Sequence, residues 1–152
     1  LDKLAEQGEQ GKKTSTAGVI HEIAQKINKR GLVVLFTDMF ENVDDLEKTF
    51  LALQHLKHQK HEVLVFHVMD KQTEVEFDFS NKPHIFIDAE SGEKLKLRPS
   101  EIKDAYVSQM ADFLKNVEMK CHQLKIDYIP VDINDDFEKV MLSFFVKRKK
   151  MK

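Results

Sequence analysis

The sequence predicts an α/β fold: a three-layer sandwich with an incomplete parallel sheet and a small antiparallel meander at its edge. Two short apolar runs, Leu32-Val33-Val34-Leu35-Phe36 and Val63-Leu64-Val65-Phe66, are too short for helices and too continuous for half-exposed strands. Amphipathic helical patterns flank both runs, and helices alternating with buried strands give a parallel sheet covered on both faces. A period-two stretch, Val75, Phe77 and Phe79 alternating with Glu74, Glu76 and Asp78, supplies the antiparallel part.

Residues 1–13 are polar and read as a flexible leader. Gly11-Lys12-Lys13-Thr14 superficially suggests a phosphate loop. Glu6 stands where that motif needs its first glycine, and Lys13 where it needs Ser or Thr. From Ser15 to Lys29, Ala17, Val19, Ile20, Ile23, Ala24 and Ile27 make one helix face, with Thr14 or Ser15 as N-cap and Gly31 as the stop. The run Leu32–Phe36 then reads as a central strand buried on both faces. It ends at Thr37-Asp38. Open α/β sheets bind ligands outside the carboxyl ends of their strands, so Asp38 is a candidate functional residue; its alternative role is to cap a loop or helix.

Asp44 and Asp45 open a helix to about Lys60, with Leu46, Phe50, Leu53 and Leu56 facing inward. His55, His58 and His61 recur every third residue near its end. That spacing drifts around a helix and no carboxylate completes a ligand set, so a solvated helix end is expected rather than a metal site. Glu62–Val68 is the next strand, and His67 within it reads as a hydrogen-bonded core histidine. Ile85–Ile87 and Leu95–Leu97 join the Val75–Phe79 stretch to complete the meander.

Pro99 opens a long helix to about Lys125, with Ile102, Tyr106, Met110, Phe113, Leu114, Val117 and Cys121 buried. Asp127–Val131 is a strand whose Pro130 suits an exposed position. Asp135-Asp136 starts the last helix, with Phe137, Val140, Met141, Phe144 and Phe145 expected inward. The tail Lys147–Lys150 complements the helix C-terminus.

The chain has 152 residues, enough for one domain with a real core. It carries 24 Lys and Arg against 26 Asp and Glu, a balance that argues against nucleic-acid binding. No apolar run approaches the ~20 residues of a membrane span. The one cysteine, Cys121, fits a reducing compartment, the cytoplasm.

The residues from Thr14 through Arg30-Gly31-Leu32-Val33-Val34-Leu35-Phe36-Thr37-Asp38-Met39-Phe40 and His61–Val68 resemble a von Willebrand factor A-like domain. The similar branch is the bacterial family catalogued as domain of unknown function 58. Phe86-Ile87-Asp88-Ala89-Glu90-Ser91-Gly92-Glu93, Tyr106 and Ile126-Asp127-Tyr128 strengthen the likeness, which runs from Thr14 to the last helix. The resemblance implies a Rossmann-like sheet and a metal-ion-dependent adhesion site, with Thr14 at its second loop and Asp38 at its third. The first-loop Asp-x-Ser-x-Ser is absent from this sequence. Residues 14–152 are therefore expected to be the C-terminal part of such a domain, holding a partial metal site. Mg²⁺ is expected only in the full-length protein and no cofactor in this chain.

The resemblance further implies a non-enzymatic protein-interaction module, a partner or adaptor of a MoxR-type AAA+ ATPase in protein assembly or maturation. The alternatives are a metal-assisted hydrolase using Asp38 with His67 or His21, and a structural domain that has lost its metal. With no strand before it in this sequence, Leu32–Phe36 is expected to expose an apolar edge and to mediate homodimerisation.

Overall fold

The computed structural model describes residues 15–27, 29–39, 43–87 and 92–150. In order these form helix α1 (Thr16–Lys26), strand β1 (Leu32–Thr37), helix α2 (Val43–His58), strand β2 (Glu62–Met69), a π-helical turn (Lys71–Val75), strands β3 (His84–Ile87) and β4 (Lys94–Leu97), helix α3 (Pro99–Gln123), strand β5 (Asp127–Asp132) and helix α4 (Phe137–Lys150). The expected leader, residues 1–13, and Thr14 lie outside the described residues. The fold is α/β, with a parallel three-stranded sheet ordered β1-β2-β5 and a separate antiparallel pair, β3-β4.

The chain divides into two compact units. One takes in the described residues up to Val33 together with Met39–Val63; the other takes in Val34–Asp38 and the described residues from Leu64 onward. In the first, α1 packs on α2. Ser15 caps α1 by accepting a hydrogen bond at Oγ from the Gly18 amide, 3.3 Å away. Ile20 and Ala24 on α1, and Phe50, Leu53 and Leu56 on α2, are buried, as the apolar spacing of both helices requires. Helix α1 stops at Lys26 with Ile27 as its cap, so Gly31 is not the helix terminator expected of it. Instead its amide donates to Nδ1 of His61 at 3.2 Å and its carbonyl accepts from the Glu62 amide at 2.9 Å.

The core of the second unit gathers around β2. Leu64, Phe66, Val131 and Phe144 are buried together, with Val68, Ile129, Val140 and Met141 packed against them. The strand buried on both faces is β2, not β1. Every β2 residue from Val63 to His67 is buried, whereas β1 alternates exposed and half-buried. The apolar run at 32–36 alone could not reveal that nothing pairs beyond β1 in the described sheet, and an edge strand keeps one side open. Strand β5 pairs parallel to β2 from Leu64↔Asp127 to Met69↔Asp132, with Pro130 exposed at its outer position.

Two further expectations fail for physical reasons. Val75–Phe79 is not a strand. Asp70 accepts hydrogen bonds at Oδ1 from the amides of Gln72 and Thr73, which winds Lys71–Val75 into a turn, and Phe77 sits at φ 49°, where no strand continues. The expected meander is therefore the β3-β4 hairpin alone, a sheet of its own rather than the edge of the parallel sheet. In α4, Phe144 is buried but Phe137 and Phe145 are about half exposed. Their spacing fits one face, yet the three-stranded sheet is too narrow to cover the whole face.

The ends of α2 and α3 share one device. Lys60 and Lys125 adopt left-handed backbone, φ 67° and 55°. After α2, the His61 amide bonds Leu56 O and the Lys60 amide bonds Lys57 O; after α3, the Ile126 amide bonds Cys121 O and the Lys125 amide bonds His122 O. Each is a Schellman closure with lysine where glycine is usual, and each delivers the chain within two residues to a strand.

Candidate functional site at the carboxyl ends of the strands

The carboxyl ends of the parallel strands carry three aspartates: Asp38 after β1, Asp70 after β2 and Asp132 at the end of β5. Sequence reasoning found only Asp38. The signal for the others was the same, an acidic residue closing an apolar run. Asp70 is committed to the turn described above. Asp132 accepts from the amide and side chain of Asn134, both at 3.0 Å. The Asn134 amide, and then the Asn134 side chain and Lys71, hold its carboxyl below the usual carboxylate range.

Asp38 is held through its backbone. Nε2 of His67 lies 2.8 Å from the Asp38 carbonyl, which can only accept, so Nε2 carries the proton. Nδ1 is then the acceptor, and the Tyr128 hydroxyl donates to it at 2.7 Å. His67 is buried and Tyr128 half-buried, with Phe113 edge-on to the imidazole at 6.4 Å. Burial lowers the His67 pKa, against a smaller opposing effect of the Asp38 carbonyl and charge; burial raises that of Tyr128. His67 is thus a neutral, fully bonded core histidine, as the sequence suggested. Its contact with Asp38 is to the carbonyl, and both ring nitrogens are occupied. It is not placed as a base for the hydrolase alternative.

The other candidates do not converge either. His21 is exposed on α1 and hydrogen-bonded to Gln25 at 3.0 Å. His55 faces it ring to ring at 5.4 Å and bonds Gln59. His58 is exposed, whereas His61 is buried and accepts from Gly31. Cys121 is buried, its thiol pushed up to about 12 by burial and, secondarily, by Glu118; that suits a core residue rather than a nucleophile.

Among the described residues no three His, Cys, Asp or Glu side chains come together as metal ligands. A small hard cation takes about six oxygens. Asp38, with Asp70 and Asp132 committed to their own turns, does not furnish such a set, and Thr14 lies outside the described residues. Also among the described residues, no helix is long and apolar enough to cross a membrane.

No curated protein and no solved structure matches the chain. A family model described as protein of unknown function DUF58 matches residues 1–116. The match takes in residues 1–13 and stops within α3, so it lies further toward the N-terminus than the stretch from Thr14 to the last helix that carried the resemblance. With 116 of 152 residues matched, the chain belongs to the DUF58 family of proteins of unknown function.

Proposed function

We propose that this chain is a von Willebrand factor A-like protein-interaction module that acts with a MoxR-type AAA+ ATPase in assembling or maturing other proteins. Support comes from family membership together with the geometry of Asp38. A loop at the carboxyl end of β1 carries this aspartate, and a buried histidine fixes its backbone. Rigid support beneath a loop residue suits recognition, where a side chain must be held out toward a partner. Among the described residues no three metal-ligating side chains come together, and binding in this reading relies on the loop and the exposed strand edge.

The test is co-purification of the tagged full-length protein with a MoxR-type ATPase encoded beside its gene, comparing the native sequence with Asp38→Ala. Stoichiometric capture that weakens at least fivefold in the variant supports the reading. Absence of capture, or equal capture by both proteins, overturns it.

The edge of β1 supports self-association as a second mode of contact. Val34 and Phe36 share one face of this outer strand and are exposed, with Phe36 53% accessible while its ring stacks on Phe66 at 4.8 Å.

A further inference from the structure

The β3-β4 hairpin presents an unusual division of chemistry. Its register pairs Ile85 with Lys96 and Ile87 with Lys94, so these four share one face; His84, Phe86, Leu95 and Leu97 share the other. On that second face the β3 side is covered. Phe86 stacks near Phe77 at 5.8 Å and meets Phe79 edge-on at 5.3 Å, and His84 lies 5.8 Å from Phe79. Tyr106 completes the cluster, 4.4 Å from Phe77 and donating to the Glu74 carbonyl at 2.8 Å. On the β4 side Leu97 is half-buried, but Leu95 remains 61% exposed. An open recess of about 480 Å³, bordered by Phe86, Ile87, Glu93, Lys94 and Leu95, lies beside it.

Strand β4 has β3 on one side and no strand on the other among the described residues. Its outward face carries cations at every second position. Lys94 and Lys96 are followed by Arg98, whose extended backbone (φ −96°, ψ 124°) prolongs the strand direction. All three are exposed, and among the described residues none has an ion-pair partner. An edge of this kind combines unpaired backbone donors and acceptors, a row of like charges on one face and an uncovered leucine on the other.

We propose that the outer edge of β4 takes an extended acidic protein segment as a third strand, one in which Asp or Glu alternates with apolar residues. Side-chain alternation places the acidic residues beside Lys94, Lys96 and Arg98. The intervening apolar residues then fall beside Leu95. Backbone hydrogen bonds along β4 supply affinity, and the period-two charge match supplies selection. A hairpin of two strands is marginal alone and gains from a third. An anionic membrane fits less well. Ile85 and Ile87 sit directly opposite lysines, so inserting them would carry charge inward, and a bilayer core cannot satisfy the open backbone edge.

The probe is a fluorescein-labelled, Ser-Gly-flanked peptide of alternating Glu and Val, titrated with the full chain at low salt and followed by anisotropy. A peptide of the same composition with its Glu and Val in separate blocks is the control. Saturable binding of the alternating peptide is expected, at least tenfold tighter than the control. It should weaken with added salt, with slowed amide exchange over residues 94–97. The K94E/K96E double variant and Leu95→Lys each change only exposed side chains. Both should lose at least tenfold in affinity while their circular dichroism and melting stay those of the native chain. Equal binding of the two peptides, no binding, or binding unchanged in both variants overturns the proposal. So does capture by phosphatidylserine vesicles, lost in K94E/K96E, without binding of the alternating peptide.

Discussion

The Tyr128 hydroxyl and His67 Nδ1, on neighbouring parallel strands, lie 2.7 Å apart, and the opposite nitrogen of the same ring holds the Asp38 carbonyl at 2.8 Å. One imidazole inside β2 thus links the residue that follows β1 to Tyr128 near the start of β5. Tyr128→Phe keeps the ring and its packing but leaves Nδ1 buried without a donor. A stability loss of about 1–3 kcal/mol is expected from an orphaned buried acceptor, measured by urea denaturation. A change near zero would show that the bond contributes nothing.

The same imidazole sets a pH dependence. Burial depresses the His67 pKa in the folded state below its ordinary value of 6.5. The unfolded chain therefore binds the extra proton first as pH falls. The contribution of neutral His67 is intact above about pH 6.5, the ordinary histidine value, and is lost as pH drops from there through the depressed folded value. Protonation would also turn Nδ1 into a donor facing the tyrosine. Denaturation midpoints between pH 8 and pH 5 should fall for the native chain. They should fall less for His67→Phe, which has no group to titrate.

Lys60 and Lys125 stand in the left-handed conformation with their side chains exposed. A Cβ there costs about 1–2 kcal/mol, partly offset in glycine by its greater freedom in the unfolded chain. Lys60→Gly and Lys125→Gly are each expected to stabilise by about 0.5–1 kcal/mol, additively because they close different helices. Thermal melting of the single and double variants measures this; a lowered melting temperature would contradict it.

Cys121 gives a direct report on the integrity of the core. Buried, with its thiol pushed up to about 12, it holds almost no thiolate at pH 8. Ellman's reagent should leave it unmodified in the native chain and react fully once guanidinium is added. Rapid native-state reaction would mean that the end of α3 opens readily.

The β1 edge is tested by dilution. Sedimentation velocity over a hundredfold concentration range should show a dimer that dissociates on dilution. Val34→Lys, at a position 41% exposed, should shift the chain to monomer. Separately, calorimetric titration of this chain with Mg²⁺ should give no stoichiometric heat. A saturable, tight site would show that the described donors are not the whole set.

Much of the fold was legible because its signals are local. The apolar spacing of α1, α2 and α3, the acidic start of α2 and the proline at the start of α3 are each readable within a dozen residues. What escaped depends on neighbours distant in the chain. Leu32–Phe36 and Val63–Phe66 look alike as strings, and only strand order makes one an edge and the other a centre. Val75–Phe79 alternates like a strand, yet the Asp70 carboxylate captures the amides of the turn before it. Gly31 resembled a helix stop, whereas α2 and α3 are closed by two lysines that no composition rule selects. His67 was placed correctly because a histidine inside an apolar strand must find partners. That one of them would be the carbonyl of Asp38 could not be read from a separation of 29 residues.

The stretch 63–67 of β2 is buried throughout, in a strand that lies between β1 and β5. It has no surface to lend, and anything this sheet offers to another molecule must leave through its last residue or through its neighbours. Variation that alters recognition while sparing the fold is therefore confined to the strand termini, the outer strands and the hairpin, and a change inside 63–67 will register as lost protein before it registers as altered binding.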